Sequence, residues 1–194
     1  MDSLRRANEA TGATRRVSPY GSWRSPISAE RVARGGVRLA EVHTHDEAIL
    51  WLESRPAEAG RSVVVRRDPA GAIAYVTPSG WNVRTRAHEY GGGAWLARGR
   101  SVWFARFSDQ RLYRQRVDEA SPALPPEAIT PEPECSAGLR YADLELSADG
   151  RWLFCVRESH APGREARNEI VRLPADGPGP VTVIASGHDF VSYP

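Results

Sequence analysis

The residues best suited to chemistry stand immediately before a run of three glycines. His88, Glu89 and Tyr90 supply an imidazole, a carboxylate and a phenol in consecutive positions, followed by Gly91 to Gly93. A glycine run can cradle an anion, but this one lacks the strand-then-helix context and the Lys-Ser/Thr pair of a P-loop. A flexible entry into a strand, or a close approach of backbone to a neighbouring sheet, explains the glycines better. The three side chains are weak candidates for binding a ligand, with structural hydrogen bonding as the alternative.

Two other groups have the residue types of a functional site in the wrong arrangement. Residues 186–189 read Ser-Gly-His-Asp, but consecutive residues on a turn cannot converge around one reacting group as a Ser-His-Asp relay must. His43 and His45 alternate along a predicted strand and would share a face beside Asp46. A zinc site needs further ligands, and none is near in sequence, so a solvated pair is preferred. We therefore expect no catalytic residue, no metal and no cofactor in this chain.

Composition and charge exclude several classes of protein. The 194 residues are 41% hydrophobic and 26% charged, which is ordinary for a soluble globular protein. No apolar run approaches the roughly 20 residues that cross a membrane, and no secretory segment follows Met1. We therefore expect no membrane partner and, by default, a cytoplasmic location. Cys135 and Cys155 are too few for a disulfide framework. All 26 basic residues are arginine, yet they are dispersed among acids, so nucleic-acid binding is not expected.

Residues 141–186 parse as four strands joined by turns. Tyr141 to Leu146 alternates apolar and polar residues, which is the period of a strand. Trp152 to Val156 is an unbroken apolar run, which predicts a strand buried on both faces. Glu169 to Leu173 and Val181 to Ile184 complete the set. Four antiparallel strands in about fifty residues make a unit the size of one β-propeller blade.

The same unit recurs twice upstream at a spacing of about fifty residues. The equivalent second strands contain Ile49, Val102 and Trp152, the third strands Val63, Leu112 and Ile170, and the outer strands Ile73, Ile129 and Val183. We therefore predict an all-β fold, a partial β-propeller of about three four-stranded antiparallel blades plus the start of a fourth. The blades are expected at 37–78, 88–131 and 139–186, with a fourth beginning near 188. The tryptophans at 51, 95, 103 and 152 are expected to pack between blades. An ordinary β-sandwich with short strands is the alternative.

The sequence also predicts the structure of the first 28 residues and the consequence of having only three blades. Residues 1–19 are expected to form a flexible leader. Residues 20–28 should lie on the surface, and Ser28 is an acceptable N-cap for one helical turn. A propeller closes by packing its last blade against its first, so three blades would leave apolar faces open. We expect the chain to be part of a larger protein and, alone, to be prone to self-association through those faces.

Seven short motifs follow one another along the chain. They are Tyr20 to Pro26, Trp51 to Arg61, Trp81 to Trp95, Ser108 to Tyr113, Arg140 to Asp143, Arg167 to Ile170 and Gly187 to Val191. In this order they resemble the N-terminal propeller of S9 serine peptidases, the prolyl oligopeptidase family. Within it they resemble the branch of acylaminoacyl peptidases and dipeptidyl aminopeptidases. The resemblance extends over nearly everything from Tyr20 onward.

The resemblance implies a two-part enzyme in which the propeller restricts entry to short peptides. Its partners would be an α/β-hydrolase domain and a short peptide substrate. That domain carries a nucleophilic serine on a Gly-x-Ser-x-Gly turn, a motif that the 194 residues do not contain. We therefore expect the chain to have no peptidase activity alone. First strands of blades line the central channel, so His88, Glu89 and Tyr90 are expected there, with the Glu89 carboxylate contacting a peptide terminus.

A free-standing β-propeller module that binds a protein partner, without enzymatic role, is the alternative from another functional class. The DNA sequence beyond the codon for Pro194 would distinguish the peptidase hypothesis from the interaction-module hypothesis. Further blades and a Gly-x-Ser-x-Gly motif would favour the peptidase, and a stop codon would favour the module.

Overall fold

The structure is a computed structural model that describes residues 17–45, 47–117 and 125–194. Most of the predicted leader, residues 1–16, lies outside the described residues, as does Asp46. The chain divides into two compact units, with the division after Gly35. Among the described residues, no helix has the length and apolar character needed to cross a membrane.

The described part of the first unit contains one short helix, α1 (Ala29–Arg34). The Ser28 hydroxyl accepts a hydrogen bond from the Arg31 backbone N–H at 3.1 Å, which satisfies one of the free donors of the first turn. The helix ends at Gly35, whose φ of 59° suits glycine. The predicted N-cap and helical turn are confirmed. Tyr20 and Trp23 are exposed, as expected for residues 20–28.

The second unit consists of three four-stranded antiparallel sheets, each in sequence order. The first contains β1 (Arg38–His45), β2 (Ala48–Arg55), β3 (Arg61–Arg67) and β4 (Ile73–Tyr75). The second contains β5 (Trp95–Arg98), β6 (Ser101–Ala105), β7 (Leu112–Arg116) and β8 (Glu127–Ala128). The third contains β9 (Leu139–Leu146), β10 (Trp152–Ser159), β11 (Arg167–Pro174) and β12 (Thr182–Ser186). A single turn of 3₁₀-helix (Pro56–Glu58) joins β2 to β3.

Each sheet is an up-and-down meander, so the fold is the predicted partial β-propeller with three blades. Every second and third strand contains the residues that the recurrence assigned to it. Ile129 follows directly after β8, and its backbone N–H donates to the Leu112 carbonyl at 2.9 Å. Residues 187–194, where a fourth blade was expected to begin, contain no strand.

Two apolar clusters hold the three blades together. Between the first and second blades lie Leu50, Leu52, Val64, Trp95 and Phe104, all buried. The second cluster lies between the second and third blades and includes Trp103, Leu112, Leu153, Val171 and Leu173. Each fully buried leucine or valine contributes about 1.5–3 kcal/mol relative to exposure. Burial of apolar side chains between neighbouring sheets is therefore the main stabilising contribution to the arc of blades.

The prediction that four tryptophans pack between blades is confirmed for two and wrong for the others. Trp95 and Trp103 are nearly completely buried in the two clusters. Trp51 is half-buried and lies in a cross-strand row with Val65 and Tyr75, on the face opposite Leu50 and Leu52. Trp152 likewise points away from the second blade, because its neighbour Leu153 faces that blade. Alternation along a strand sends neighbouring residues to opposite faces.

The expectation that β10 is buried on both faces is wrong for Trp152 and Phe154, although Val156, further along the same face, is completely buried. Leu153 and Cys155 are completely buried against the second blade, whereas Trp152 and Phe154 on the other face are only partly buried. No described sheet packs on that side of the third blade. The first blade has a corresponding outward face, on which Leu39, Ile73 and Tyr75 are 63%, 63% and 66% exposed.

Candidate functional site

The connections that carry the sequence motifs lie at one end of the blades. In an antiparallel meander, the link from the second to the third strand and the link from the fourth strand to the next blade leave from the same end. We call this the loop end. It comprises residues 56–60, 76–94, 106–111, 129–138, 160–166 and 187–194.

Residues 81–94 run across the loop end from the first blade to the second. The Asn82 side-chain oxygen accepts from the Ser62 backbone N–H at 2.9 Å, and the Val83 N–H donates to the Ser62 carbonyl at 2.8 Å. Further on, the Arg86 N–H donates to the Gln110 side-chain oxygen at 2.7 Å. Gln110 is completely buried. The path of the segment is therefore fixed by bonds to both blades.

The predicted position of His88, Glu89 and Tyr90 in a channel-lining strand is wrong. They belong to a tight turn closed by a hydrogen bond from the Gly91 N–H to the Ala87 carbonyl at 2.8 Å, and β5 begins only at Trp95. His88 and Glu89 have φ values of 54° and 63°. Residues that have a Cβ rarely adopt this left-handed backbone conformation. It is kept only where the surrounding structure holds the backbone in place. Two consecutive candidate residues therefore have a strained backbone, which the surrounding contacts must hold in place.

A buried carboxylate of the third blade anchors this turn. The Glu158 side chain, on β10, is only 4% exposed. Its Oε1 accepts from the His88 backbone N–H at 3.0 Å, and its Oε2 lies 2.7 Å from His160 Nε2. The Arg140 Nη1 is 3.5 Å from the same Oε2. Burying a carboxylate costs little only when donors surround it, and here the turn at His88 and the third blade supply them.

Arg140, on β9, connects the anchor to the exposed part of the turn. Its Nη1 donates to Glu89 Oε1 at 2.6 Å and to the Arg86 carbonyl at 3.0 Å. The Arg140 side chain is 9% exposed, whereas that of Glu89 is 71% exposed. Hydrogen bonding to the Arg140 guanidinium, together with its charge, lowers the pKa of Glu89. The Glu89 carboxylate is therefore ionised, held in place on one side and open to solvent on the other.

His88 and Tyr90 have different surroundings from Glu89. The His88 side chain is 7% exposed, with Nδ1 at 3.6 Å from Glu158 Oε1. Within the described structure neither ring nitrogen has a hydrogen-bond partner. The rings of Tyr90 and Phe190 lie 5.9 Å and 6.0 Å from the His88 ring, measured between centroids. Tyr90 is 84% exposed, so it is the member of the trio with the most surface to offer a ligand.

The glycine run serves the close approach of backbone to the third blade, as predicted. The Gly93 N–H donates to Asp143 Oδ1 at 2.8 Å, and the Asp143 N–H returns a bond to the Gly93 carbonyl at 2.8 Å. A Cβ on Gly92 would lie 2.8 Å from Asp143 Oδ1 and 3.1 Å from the Ala142 Cβ. Asp143 itself sits at a bulge of β9 with a φ of 54°.

The innermost strands β1, β5 and β9 line a cleft of about 530 Å³ with acidic walls. Glu41, Asp143 and Glu145 contribute carboxylates to it, and His43 contributes an imidazole. Burial raises the pKa of Glu41 and lowers that of His43. The His43 ring packs edge-on against Trp95 with 4.5 Å between centroids. In residues 17–45, 47–117 and 125–194, no group of three or more His, Cys, Asp or Glu side chains could hold a metal.

Motifs far apart in sequence therefore meet at the loop end. Residues 81–95 contact residues 140–143 through the Glu89–Arg140 and Gly93–Asp143 pairs, and residues 187–191 through the His88 and Phe190 rings. Asn168 joins the group by donating to the Asp189 carbonyl at 2.7 Å. Sequence reasoning missed Glu158 and His160, because no local pattern shows that a carboxylate in a strand binds a turn 70 residues away.

The Ser-Gly-His-Asp run of residues 186–189 is not arranged as a relay. Ser186 is the last residue of β12, and the others follow in an irregular segment. Asp189 takes part through its backbone carbonyl, which accepts from Asn168.

Comparison with known proteins gives matches to solved structures only. No protein-family model matches the chain, and no curated protein matches it. A puromycin-hydrolysing peptidase of Mycobacterium tuberculosis is 39% identical with a TM-score of 0.77, over 93% of this chain and 29% of that one. A puromycin hydrolase structure is 34% identical with a TM-score of 0.75, over 89% and 28% of the two chains.

A third structure, a serine-to-alanine mutant of puromycin hydrolase complexed with PGG, is 37% identical with a TM-score of 0.69. It matches 82% of this chain and 25% of that one. The chain thus spans less than a third of the length of each of these peptidases. Identity above 30% over most of this chain, together with the shared fold, confirms the resemblance to the N-terminal propeller of S9 serine peptidases.

Proposed function

We propose that this chain is the substrate-gating propeller of a serine peptidase that acts on short peptides, and that the bond is cleaved outside its 194 residues. The observation that carries the proposal is its similarity to peptidases of which it spans less than a third. The absence of Gly-x-Ser-x-Gly from the sequence supports catalysis elsewhere, since that turn presents the nucleophile in this kind of hydrolase.

The proposed substrate is a short peptide or aminoacyl amide with a free amino group. Puromycin, on which the similar enzymes act by name, is an aminoacyl amide with such a group. Within the wider family we place the parent enzyme in the branch that contains acylaminoacyl peptidases and dipeptidyl aminopeptidases, on the side of the dipeptidyl aminopeptidases, since these act on a free amino terminus. Because Cys135 and Cys155 are free thiols, we place its work in the reducing cytoplasm.

Glu89, His88 and Tyr90 are the proposed substrate-contacting residues. Glu89 offers an exposed carboxylate whose other side is occupied by Arg140. A peptide ammonium group bound there would make a charge-assisted hydrogen bond. Tyr90 would cover the adjoining side chain of the peptide with its exposed ring, and buried His88 would shape the turn.

Binding of a short peptide by the 194-residue chain tests this assignment. We expect amide resonances of residues 86–93 to shift on addition of a tripeptide with a free amino terminus. The same tripeptide with an acetylated amino terminus should bind at least tenfold more weakly, because it lacks the charge that Glu89 recognises. Glu89→Gln should abolish that difference, with Glu165→Gln on an exposed loop as control. Equal binding of both peptides would contradict the role given to Glu89.

A free-standing interaction module is the second candidate function. The observation that favours it is the exposed apolar face of the first blade, on which Leu39, Ile73 and Tyr75 are each more than 60% exposed. Exposed apolar patches of this kind mark interaction surfaces. A stop codon after Pro194, with no peptidase sequence in frame, would favour this candidate.

A further inference from the structure

One guanidinium at the loop end stands between two carboxylates. Arg140 Nη1 donates to Glu89 Oε1 at 2.6 Å and lies 3.5 Å from Glu158 Oε2. The guanidinium is itself fixed, because Nε donates to the Ala137 carbonyl at 3.3 Å and Nη1 to the Arg86 carbonyl at 3.0 Å. One positive charge therefore serves two negative charges, and these three side chains together have a surplus negative charge.

The two carboxylates differ in their access to solvent. The Glu158 side chain is 4% exposed, whereas that of Glu89 is 71% exposed. A ligand can therefore touch Glu89 alone, while the charge of Glu158 acts on that ligand through the protein, where water screens it less. Arg86 is the other arginine whose charge lowers the pKa of Glu89. It is exposed, so water screens its charge.

The other neighbours of Glu158 supply hydrogen bonds rather than charge. Its Oε1 accepts from the His88 backbone N–H at 3.0 Å, and its Oε2 lies 2.7 Å from His160 Nε2. A backbone amide and an imidazole in its neutral form both donate without adding a positive charge. The negative charge of Glu158 is therefore offset by the guanidinium that also serves Glu89.

We propose that Glu158 sets the preference of this site for a positively charged amino terminus, although it does not touch the peptide. Its carboxylate takes up part of the Arg140 charge, so that the exposed Glu89 carboxylate attracts an ammonium group. Without Glu158, Arg140 and Glu89 would form a neutral pair with little attraction for a cation. Glu158 is thus a positioning residue that acts through Arg140 and the turn. This inference rests on the function proposed above, in which Glu89 receives the amino group of the peptide.

Removing the charge of Glu158 while keeping its shape tests the proposal. For each variant of the 194-residue protein, the affinity for a tripeptide with a free amino terminus is divided by that for its acetylated form, at about pH 7.5, where an ordinary histidine is mostly neutral. Glu158→Gln should lower this ratio by a factor of about three or more. Glu169→Gln is the matched control and should leave the ratio unchanged. Glu169 is also a carboxylate of the third blade, 5% exposed, but is paired with Arg157.

A second pair of variants neutralises Glu158 without replacing it. The His160 side chain is 28% exposed, so a longer side chain can be accommodated there. His160→Arg places a permanent positive charge beside Glu158 and should lower the ratio as Glu158→Gln does. His160→Gln keeps a neutral donor and should retain more than half of the wild-type ratio. This pair decides the matter if circular dichroism shows that Glu158→Gln is misfolded.

A titration without peptide separates this inference from the proposed function. Glu158→Gln and His160→Arg should each lower the titration midpoint of the Glu89 carboxyl, followed by NMR, because the positive charge around Glu89 is then less offset. A midpoint or a ratio that stays at the wild-type value in the folded variants would overturn the role given to Glu158. Equal binding of both tripeptides by the wild type would overturn the proposed function, and the Glu89 midpoint would then still decide whether Glu158 acts on Glu89.

Discussion

Gly92 lies where the turn-bearing segment meets the third blade, and its replacement by alanine is the sharpest perturbation of that contact. The new methyl group would start 2.8 Å from Asp143 Oδ1 and 3.1 Å from the Ala142 Cβ. Asp143 cannot move aside freely, because its carboxylate accepts from the Gly93 N–H and its own N–H donates to the Gly93 carbonyl, both at 2.8 Å. The clash must therefore separate β9 from residues 92–93.

The expected cost is the difference between two opposing effects. Inserting a methyl group into a packed contact costs about 1–3 kcal/mol. Restricting the unfolded chain by replacing glycine returns about 0.4–1 kcal/mol. We expect Gly92→Ala to lower the free energy of unfolding by about 1–2 kcal/mol. In a chain of this size that lowers the melting temperature by about 2–8 °C.

Urea and thermal unfolding, followed by tryptophan fluorescence, measure this change. Gly177→Ala is the matched control, since a Cβ at Gly177 meets nothing within 4 Å and its φ is ordinary. The control should be neutral or slightly stabilised. If Gly92→Ala unfolds at the same urea concentration as Gly177→Ala, the close approach to Asp143 does not hold the second and third blades together.

Three further predictions concern other parts of the second unit. Trp103→Phe should cost about 1–3 kcal/mol, because it leaves the buried Ala175 carbonyl without its donor, and Trp51→Phe on the outward face should cost less than half as much in the same urea titration. Hydrogen bonds from Ser147 and Arg151 lower the pKa of Asp149 to about 2. Since the folded value lies below the unfolded value of about 3.9, this stabilisation is present above pH 4 and lost as pH falls through about 2. A carboxyl NMR titration should show the low midpoint and its rise in Ser147→Ala, and a midpoint near 4 in the wild type would contradict it. Exposed Cys135 should react with a thiol reagent in the native protein, whereas Cys155 should react only on unfolding, because it is completely buried and burial raises its pKa; rapid loss of both thiols would refute this.

The strands could be predicted because their information is local. Val102 to Ala105 and Val63 to Val65 are short apolar runs bounded by polar residues, and their recurrence at a fixed spacing gave the blade. The sequence was a poorer guide to the face of the sheet on which each side chain lies. Trp51 and Trp103 look equivalent in the sequence, yet one faces outward and the other faces the next blade, because a shift of one residue in register reverses a strand's faces.

The candidate site was predicted only in part, because its residues are far apart in the sequence. Glu89 and Tyr90 were identified from the motif, and the close backbone approach of the glycines follows from glycine's lack of a Cβ. Arg140 and Glu158 come from strands about 50 and 70 residues further along, and only the packing of three blades brings them to the turn. The turn itself was taken for a strand, since the left-handed backbone at His88 and Glu89 has no signal in residue types that rarely adopt it.

Turnover by the purified 194-residue protein is the most direct test of the central claim, that this propeller serves a peptidase whose chemistry takes place elsewhere. An aminoacyl p-nitroanilide incubated with the protein should release product no faster than in buffer, with or without a serine-directed phosphonate. Release that rises with protein concentration and is abolished by the phosphonate would contradict the account.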